Sequence, residues 1–223
     1  MTKAPRQEPS LHPLLAAVLF LVLVMKPLGD LGFVPHAEGF FAGLLIAFIA
    51  GLLGVLHGPS GLRWIIGIFG LLSLPLFGLS TATELREWRF ATVTAASCML
   101  LAVLVGIMRE VLAPGRVTMR RIEAAVIAYL LIGVIFAGTF DMVATLAPGS
   151  FTGDGYDPNQ PRQHGDFIFF SFVTLTSTGY GDFIPINPVA RSLAILEAMC
   201  GQFFLAVVLA RLVSLEIAGR RED

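Results

Sequence analysis

Long apolar stretches separated by short polar breaks run along most of the chain. The hydrocarbon core of a bilayer is about 30 Å thick, and a helix needs about 20 mostly apolar residues to cross it. Six segments meet this requirement, at residues 12–34, 38–56, 62–80, 90–112, 121–146 and 187–214. We therefore expect an all-α membrane protein with six transmembrane helices, in which Pro27 and Pro75 mark kinks or early helix ends.

Composition agrees with a membrane protein. Hydrophobic residues make up 56% of the 223 positions and charged residues only 14%, whereas soluble domains carry about 25% charged residues. A net charge of -1 without a basic tract argues against a nucleic-acid partner. Cys98 and Cys200 lie in apolar stretches without ligand spacing, which favours packed thiols. No nucleophile triad, phosphate loop or zinc spacing is present, so we expect neither an enzyme nor an organic cofactor.

The distribution of Lys and Arg predicts the orientation. With the amino terminus inside, ten of these residues fall on the inner side and four on the outer side, with Lys26 unassigned. We therefore expect a multi-pass protein of the cell membrane with both termini in the cytoplasm, and its compactness suggests a prokaryote. This topology puts the 148–165 loop outside, with Asp154 and Asp157 in it and Asp166 directly after it, all three near the outer mouth. These residues either attract cations or belong to a merely solvated loop.

A polar, glycine-rich strip from Thr174 to Asp182 interrupts the apolar pattern between the fifth and sixth segments. Backbone that is neither helix nor strand is tolerated at membrane depth only where it is buried in protein or lines water. Gly179 and Gly181 can take positive φ angles and turn successive carbonyl oxygens toward one side. The strip therefore predicts a ladder of oxygen ligands.

Within this strip, the sequence TSTGYGD resembles the selectivity filter of the potassium channel family, in which backbone carbonyls replace the hydration shell of the ion. The resemblance implies a pore helix near 167–176, a re-entrant filter between helices five and six, and a homotetramer around potassium ions. Carried over, the ion-binding residues are Ser177, Thr178, Gly179, Tyr180 and Gly181. The Ser177 hydroxyl would close the innermost site.

The chain departs from the usual filter sequence. Ser177 stands where the family usually has Thr, and Thr178 where it usually has Val. Serine lacks the β-branch, so we expect a looser innermost site. Val173 occupies a position where some relatives place a carboxylate that pairs with the aspartate after the filter. Asp182 must therefore find another partner, and we expect it to brace the outer vestibule, with Tyr180 packed behind the filter.

In the sixth segment, Gly201 matches the gating-hinge glycine of the family, with close packing as the alternative. Helical spacing places Gln202, Leu205 and Leu209 on one face. This face either lines the pore, where the two leucines form a hydrophobic gate, or is a packing stripe.

Glu197 lies one turn before Gly201 on a buried helix, where an unpaired charge is costly. We expect it to support the filter from behind through hydrogen bonds, with Thr174 or Thr176 as partners. A direct role as an ion ligand is the alternative.

The chain divides near residue 116 into a four-helix membrane domain, residues 1–116, and a pore domain, residues 117–223. The first domain resembles a voltage sensor in helix number alone, because the fourth segment has no Lys or Arg from residue 90 to residue 108. We expect Lys26 and Asp141 to snorkel near outer helix ends, and His57 to be a solvated loop residue.

These patterns favour a passive, potassium-selective channel. One alternative is a non-conducting regulatory subunit with a channel fold. Another is a secondary transporter with a relay of Lys26, His57, Asp141 and Glu197, although internal repeats are lacking. The 12 residues after Arg211 are too few for a ligand-binding domain, so the gating stimulus and the role of the first four helices stay open.

Overall fold

The structure, a computed structural model, describes residues 11–24, 60–83, 85–114, 117–153 and 164–220. Over these ranges the chain forms six helices and two short strands. The elements are α1 His12–Leu23, α2 Ser60–Thr83, α3 Arg86–Val111, α4 Met119–Leu146, β1 Phe151–Gly153, α5 His164–Leu175, β2 Phe183–Pro185 and α6 Pro188–Arg220. The protein is thus mostly helical.

Three of the described helices are long and apolar enough to cross a membrane. They are Glu87–Val111 of α3, Met119–Leu146, and Pro188–Leu215 of α6. They correspond to three of the predicted spans, at 90–112, 121–146 and 187–214.

The first three predicted spans have a different outcome. In α2 the apolar stretch Trp64–Ser80 is shorter than a typical span, and the helix continues beyond Pro75 to Thr83. Of the two alternatives predicted for Pro75, a kink or an early helix end, the early end is therefore wrong. Of the segment at 12–34 only the beginning is described, as α1, and the segment at 38–56 lies outside the described residues, as do Pro27, Lys26 and His57.

Helix α4 is the centre of the packing, since it contacts α1, α3, α5 and α6. Small residues on its buried side allow these neighbours to approach. At Gly133, a β-carbon would lie 2.7 Å from the tip of the Phe172 ring, so the glycine makes room for α5. Helix α4 therefore connects the amino-terminal helices to the helices beside the strip.

A buried cluster of phenylalanines lies between α4, α5 and the two strands. Its aromatic members are Phe140, Phe151, Phe167, Phe170 and Phe183. The strands pair antiparallel, and the Phe151 and Phe183 rings stack with their centroids 5.4 Å apart. Residues 151–153 therefore form a strap that pairs with β2. Asp154 and Asp157 lie outside the described residues, so the two interpretations of this loop stay predictions.

Charged residues connect the helices at both ends of α3. Asp141 on α4 is 3% exposed and forms an ion pair with Arg89 on α3. The prediction that Asp141 snorkels is therefore wrong, because its charge is compensated within the protein.

At the other end of α3, three arginines form an arginine cluster, defined here as Arg120, Arg121 and Arg211. The Arg121 side chain donates to the carbonyl of Pro114 at 3.2 Å, and Arg211 of α6 donates to the carbonyl of Leu112. Cations are favoured at a helix carboxyl terminus because the helix dipole is negative there. The cluster therefore ties the end of α3 to both α4 and α6.

Candidate functional site

The strip that follows α5 has an alternating backbone. Ser177, Gly179 and Gly181 have φ angles of +57°, +61° and +82°, whereas Thr178 and Tyr180 between them do not have positive φ. This alternation is the conformation expected of a backbone that turns successive carbonyls toward one side. The sequence predicted the two glycines, but it gave no signal that Ser177 adopts the same conformation.

The end of α5 holds the start of the strip through backbone hydrogen bonds. The amide of Ser177 donates to the Thr174 carbonyl at 2.9 Å. The amides of Thr178 and Gly179 both donate to the Val173 carbonyl, at 2.9 and 3.4 Å. Three amides of the strip are thus directed toward α5, which fixes the residues predicted to form its innermost ion sites.

Two threonine hydroxyls support the strip from the side. The Thr176 hydroxyl donates to the Phe172 carbonyl at 2.7 Å and lies 2.9 Å from the Thr178 hydroxyl. A hydroxyl carries one hydrogen, so Thr178 must be the donor to Thr176. The replacement of the usual Val by Thr178 therefore adds a hydrogen bond to the strip.

The carboxyl end of α5 is fixed by both flanking helices. The Tyr129 hydroxyl of α4 donates to the Leu175 carbonyl at 3.3 Å. On the other side is Gly201 of α6, where a β-carbon would lie only 2.1 Å from the same carbonyl oxygen. Any side chain at 201 would displace α6 or α5, so Gly201 is a close-packing glycine in this structure.

Beside Gly201, the face of α6 predicted to line a pore is exposed in the single chain. Leu205 and Leu209 are 49% and 65% exposed. Gln202 precedes these leucines on α6, and its Nε2 donates to the Ser177 Oγ at 3.0 Å. Gln202 is thereby brought to the inner end of the strip.

Glu197 of α6 is fully buried and contacts α5. Its Oε1 forms a hydrogen bond with the Ser171 hydroxyl of α5, which also contacts the Gly133 carbonyl of α4 at 2.7 Å. The sequence placed Glu197 behind the filter with Thr174 or Thr176 as its partner; both partners are wrong, because the carboxyl instead meets Ser171 of α5. Ser171 lies three residues before Thr174, about one helical turn further from the strip. Its hydroxyl connects α4, α5 and α6.

The outer end of the strip is supported by aromatic and backbone contacts. The Tyr180 ring stacks on Phe169 of α5, with centroids 5.9 Å apart and planes 2° apart. Asp182 accepts from the amide of Phe183 at 3.1 Å, which starts β2. A β-carbon on Gly153 would lie 2.7 Å from the Asp182 carbonyl oxygen, so the strap closely approaches the backbone after the strip.

Sequence reasoning missed several supporting residues, namely Tyr129, Gly133, Phe151, Gly153 and Ser171. Ser171 and Tyr129 are polar residues in apolar helices, and that position was the available signal. Phe151 and Gly153 offered none, because a strand of three residues has no measurable alternation.

Comparison with known proteins identifies the part of the chain that contains this site. Residues 128–217 match a family model described as "Ion channel". The inward rectifier potassium channel Kirbac3.1 of Paramagnetospirillum magnetotacticum is 39% identical over 83 residues, which cover 35% of this chain and 24% of the relative.

Two further relatives align over a similar length. The two pore potassium channel c of Oryza sativa subsp. japonica is 34% identical over 88 residues, covering 40% of this chain and 17% of the relative. Protein LctB of Geobacillus stearothermophilus is 32% identical over 87 residues, covering 39% of this chain and 60% of the relative. The chain thus spans a quarter or less of the first two relatives, and no solved structure gives a significant match. With its apolar spanning helices, the chain is a membrane protein, and its residues 128–217 match the ion-channel family model and are similar to segments of known potassium channels.

Proposed function

We propose that this chain is a subunit of a homotetrameric channel that conducts potassium ions passively through the strip 177–181. The observation that carries the proposal is the alternation of left-handed φ at Ser177, Gly179 and Gly181, directly after a helix whose carboxyl end is fixed by α4 and α6. A continuous row of carbonyls can replace the hydration shell of a dehydrated cation. Selection of potassium over sodium by a thousandfold corresponds to about 4 kcal/mol, which several carbonyl sites in series can supply.

The tetramer is supported by the surface that the single chain leaves exposed. In the most apolar stretch of α6 only 17% of the residues are buried, against 50% in that of α3 and 44% in that of α4. The strip beside it is exposed and irregular, and such backbone is tolerated at membrane depth only against protein or water. Four copies around one axis would cover α6 and let the strips surround an ion, since one strip cannot do so.

The orientation is part of the same proposal. Placing both termini in the cytoplasm puts the arginine cluster on the inner side, in agreement with the excess of Lys and Arg there. In this orientation the strap and the outer end of the strip face the extracellular side of the cell membrane.

Potassium flux into liposomes tests the proposal. Purified protein should carry potassium and exclude sodium, and structures in rubidium should show density beside the carbonyls of residues 177–180. A matched pair of glycines provides the control, because Gly149 and Gly181 have the same φ of +82° but only Gly181 lies in the strip.

Gly149→Ala and Gly181→Ala each force an L-residue into the left-handed region, at about 1 to 2 kcal/mol. Only Gly181→Ala should abolish flux. Assembled tetramers without flux or ordered ions in high potassium would instead support the non-conducting subunit, and sodium-coupled or proton-coupled uptake would support the transporter.

A further inference from the structure

Among the residues that the structure describes, one side-chain hydrogen bond connects α6 to the inner end of the strip. The Gln202 Nε2 donates to the Ser177 Oγ at 3.0 Å, and both residues lie on the exposed side of the chain. In the tetramer proposed above this is the side toward the permeation path, so the inference rests on the proposed function.

Ser177 needs external support for two reasons. Its φ of +57° is a left-handed conformation, which is unfavourable for an L-residue and persists only where the surroundings enforce it. Its side chain also lacks the β-branch that restricts the rotamer of threonine. The amide of Ser177 is held by the Thr174 carbonyl, but its hydroxyl is directed by Gln202.

The position of Gln202 is fixed by the residue before it. Gly201 lets α6 pack directly on the Leu175 carbonyl, with no space for a β-carbon. Leu175 ends α5 two residues before Ser177, so this contact sets the height of α6 relative to the strip. The Gln202 carboxamide consequently reaches Ser177, although helical spacing alone assigns it to the same face as Leu205 and Leu209.

The direction of the hydrogen bond determines what the hydroxyl offers to an ion. A serine oxygen has two lone pairs and one hydrogen. The Gln202 amide occupies one lone pair and fixes the rotamer, which leaves the second lone pair for a cation. We infer that Gln202 is a positioning residue that orients the Ser177 hydroxyl and thereby sets the preference for potassium over sodium at the innermost site.

The test compares potassium-to-sodium permeability ratios, obtained from reversal potentials, in reconstituted full-length tetramers. Gln202→Leu should lower the ratio about two- to tenfold, the factor that corresponds to the loss of one hydrogen bond. Rubidium density beside the Ser177 hydroxyl should weaken, while density at Gly179 and Tyr180 stays. Ser214→Ala deletes a hydroxyl from an exposed position 12 residues further along α6 and should leave the ratio unchanged.

The decisive arm is rescue. Adding Ser177→Thr to Gln202→Leu supplies a β-branched side chain that fixes its own hydroxyl. Because threonine is itself strained at this φ, the reference is Ser177→Thr alone, and the double variant should match its ratio within about twofold. An unchanged ratio in Gln202→Leu, or a ratio in the double variant that falls below that of Ser177→Thr alone as far as Gln202→Leu falls below wild type, would overturn the inference while wild-type flux upholds the proposed function.

Gln202→Met serves as a second variant if Gln202→Leu does not assemble. Failure of both variants to form tetramers would assign Gln202 to assembly and overturn the positioning role. A wild-type protein without potassium flux would instead refute the proposed function itself.

Discussion

Glu197 offers the most direct test of how the filter is supported. Two contacts converge on the Ser171 hydroxyl, from the Glu197 carboxyl and from the Gly133 carbonyl, but serine has one hydrogen to donate. Both contacts are hydrogen bonds only if the carboxyl brings the second hydrogen. A neutral carboxyl also avoids a full charge at a fully buried position among membrane-spanning helices. We therefore expect Glu197 to act as a hydrogen-bond donor.

Two substitutions separate the donor from the charge. Glu197→Gln keeps a donor of the same length, so it should retain selectivity. Glu197→Ala removes the donor, leaves a cavity and deprives the Ser171 hydroxyl of a partner, which costs about 1 to 3 kcal/mol for the unsatisfied polar group alone. If half of this free energy is lost from the preference of the filter for potassium, the potassium-to-sodium permeability ratio should drop about two- to tenfold.

Single-channel recording and the permeability ratio measure both effects in the same protein. Ser171→Ala is the matched control, because it removes the shared hydroxyl and should make the two Glu197 substitutions more alike. An equal loss of conductance in Glu197→Gln and Glu197→Ala would refute the supporting role, since it would place the charge itself beside the permeating ions.

Three further predictions follow from the helix contacts. Gly201→Ala places a β-carbon 2.1 Å from the Leu175 carbonyl oxygen, so it should reduce ion selectivity and thermal stability together. Slower channel opening with normal selectivity would instead indicate that Gly201 acts as a hinge alone. Gating charge should be small, because residues 90–108 carry no Lys or Arg and each charge is worth about 2.3 kcal/mol per 100 mV; a fitted value of many charges per tetramer would contradict this. Arg211→Ala releases the Leu112 carbonyl, which should change the open-to-closed ratio about tenfold at constant selectivity, since a hydrogen bond to a charged group contributes about 1.5 kcal/mol or more. An open probability equal to that of wild type would assign Arg211 to stability alone.

Apolar length predicted the long helices well because the bilayer imposes it. The spans at 90–112, 121–146 and 187–214 correspond to α3, α4 and α6, although α6 continues six residues beyond the predicted end. The glycine pattern likewise predicted positive φ at Gly179 and Gly181. Each of these features is encoded by residues that are close together in sequence.

Features that depend on contacts between distant segments escaped the sequence. The pairing of Arg89 with Asp141 joins residues 52 positions apart, and the bond between Ser171 and Glu197 joins residues 26 apart. A buried polar residue signals that it needs a partner, but its spacing does not identify which one. The sequence therefore indicated that Glu197 needs a hydrogen-bond partner, but it did not identify Ser171 as that partner.

The role of Gly201 shows why hinge and packing are not independent alternatives. Helix α6 approaches the Leu175 carbonyl so closely at this glycine that any bend there must change the contact with the end of α5. The next residue, Gln202, bonds Ser177, so the same bend would also move a donor away from the innermost filter residue. In the proposed channel, a movement of the part of α6 after Gln202 would therefore reach the strip through two adjacent residues. We expect opening at Gly201 and ion selection at Ser177 to be coupled by the register of this one helix.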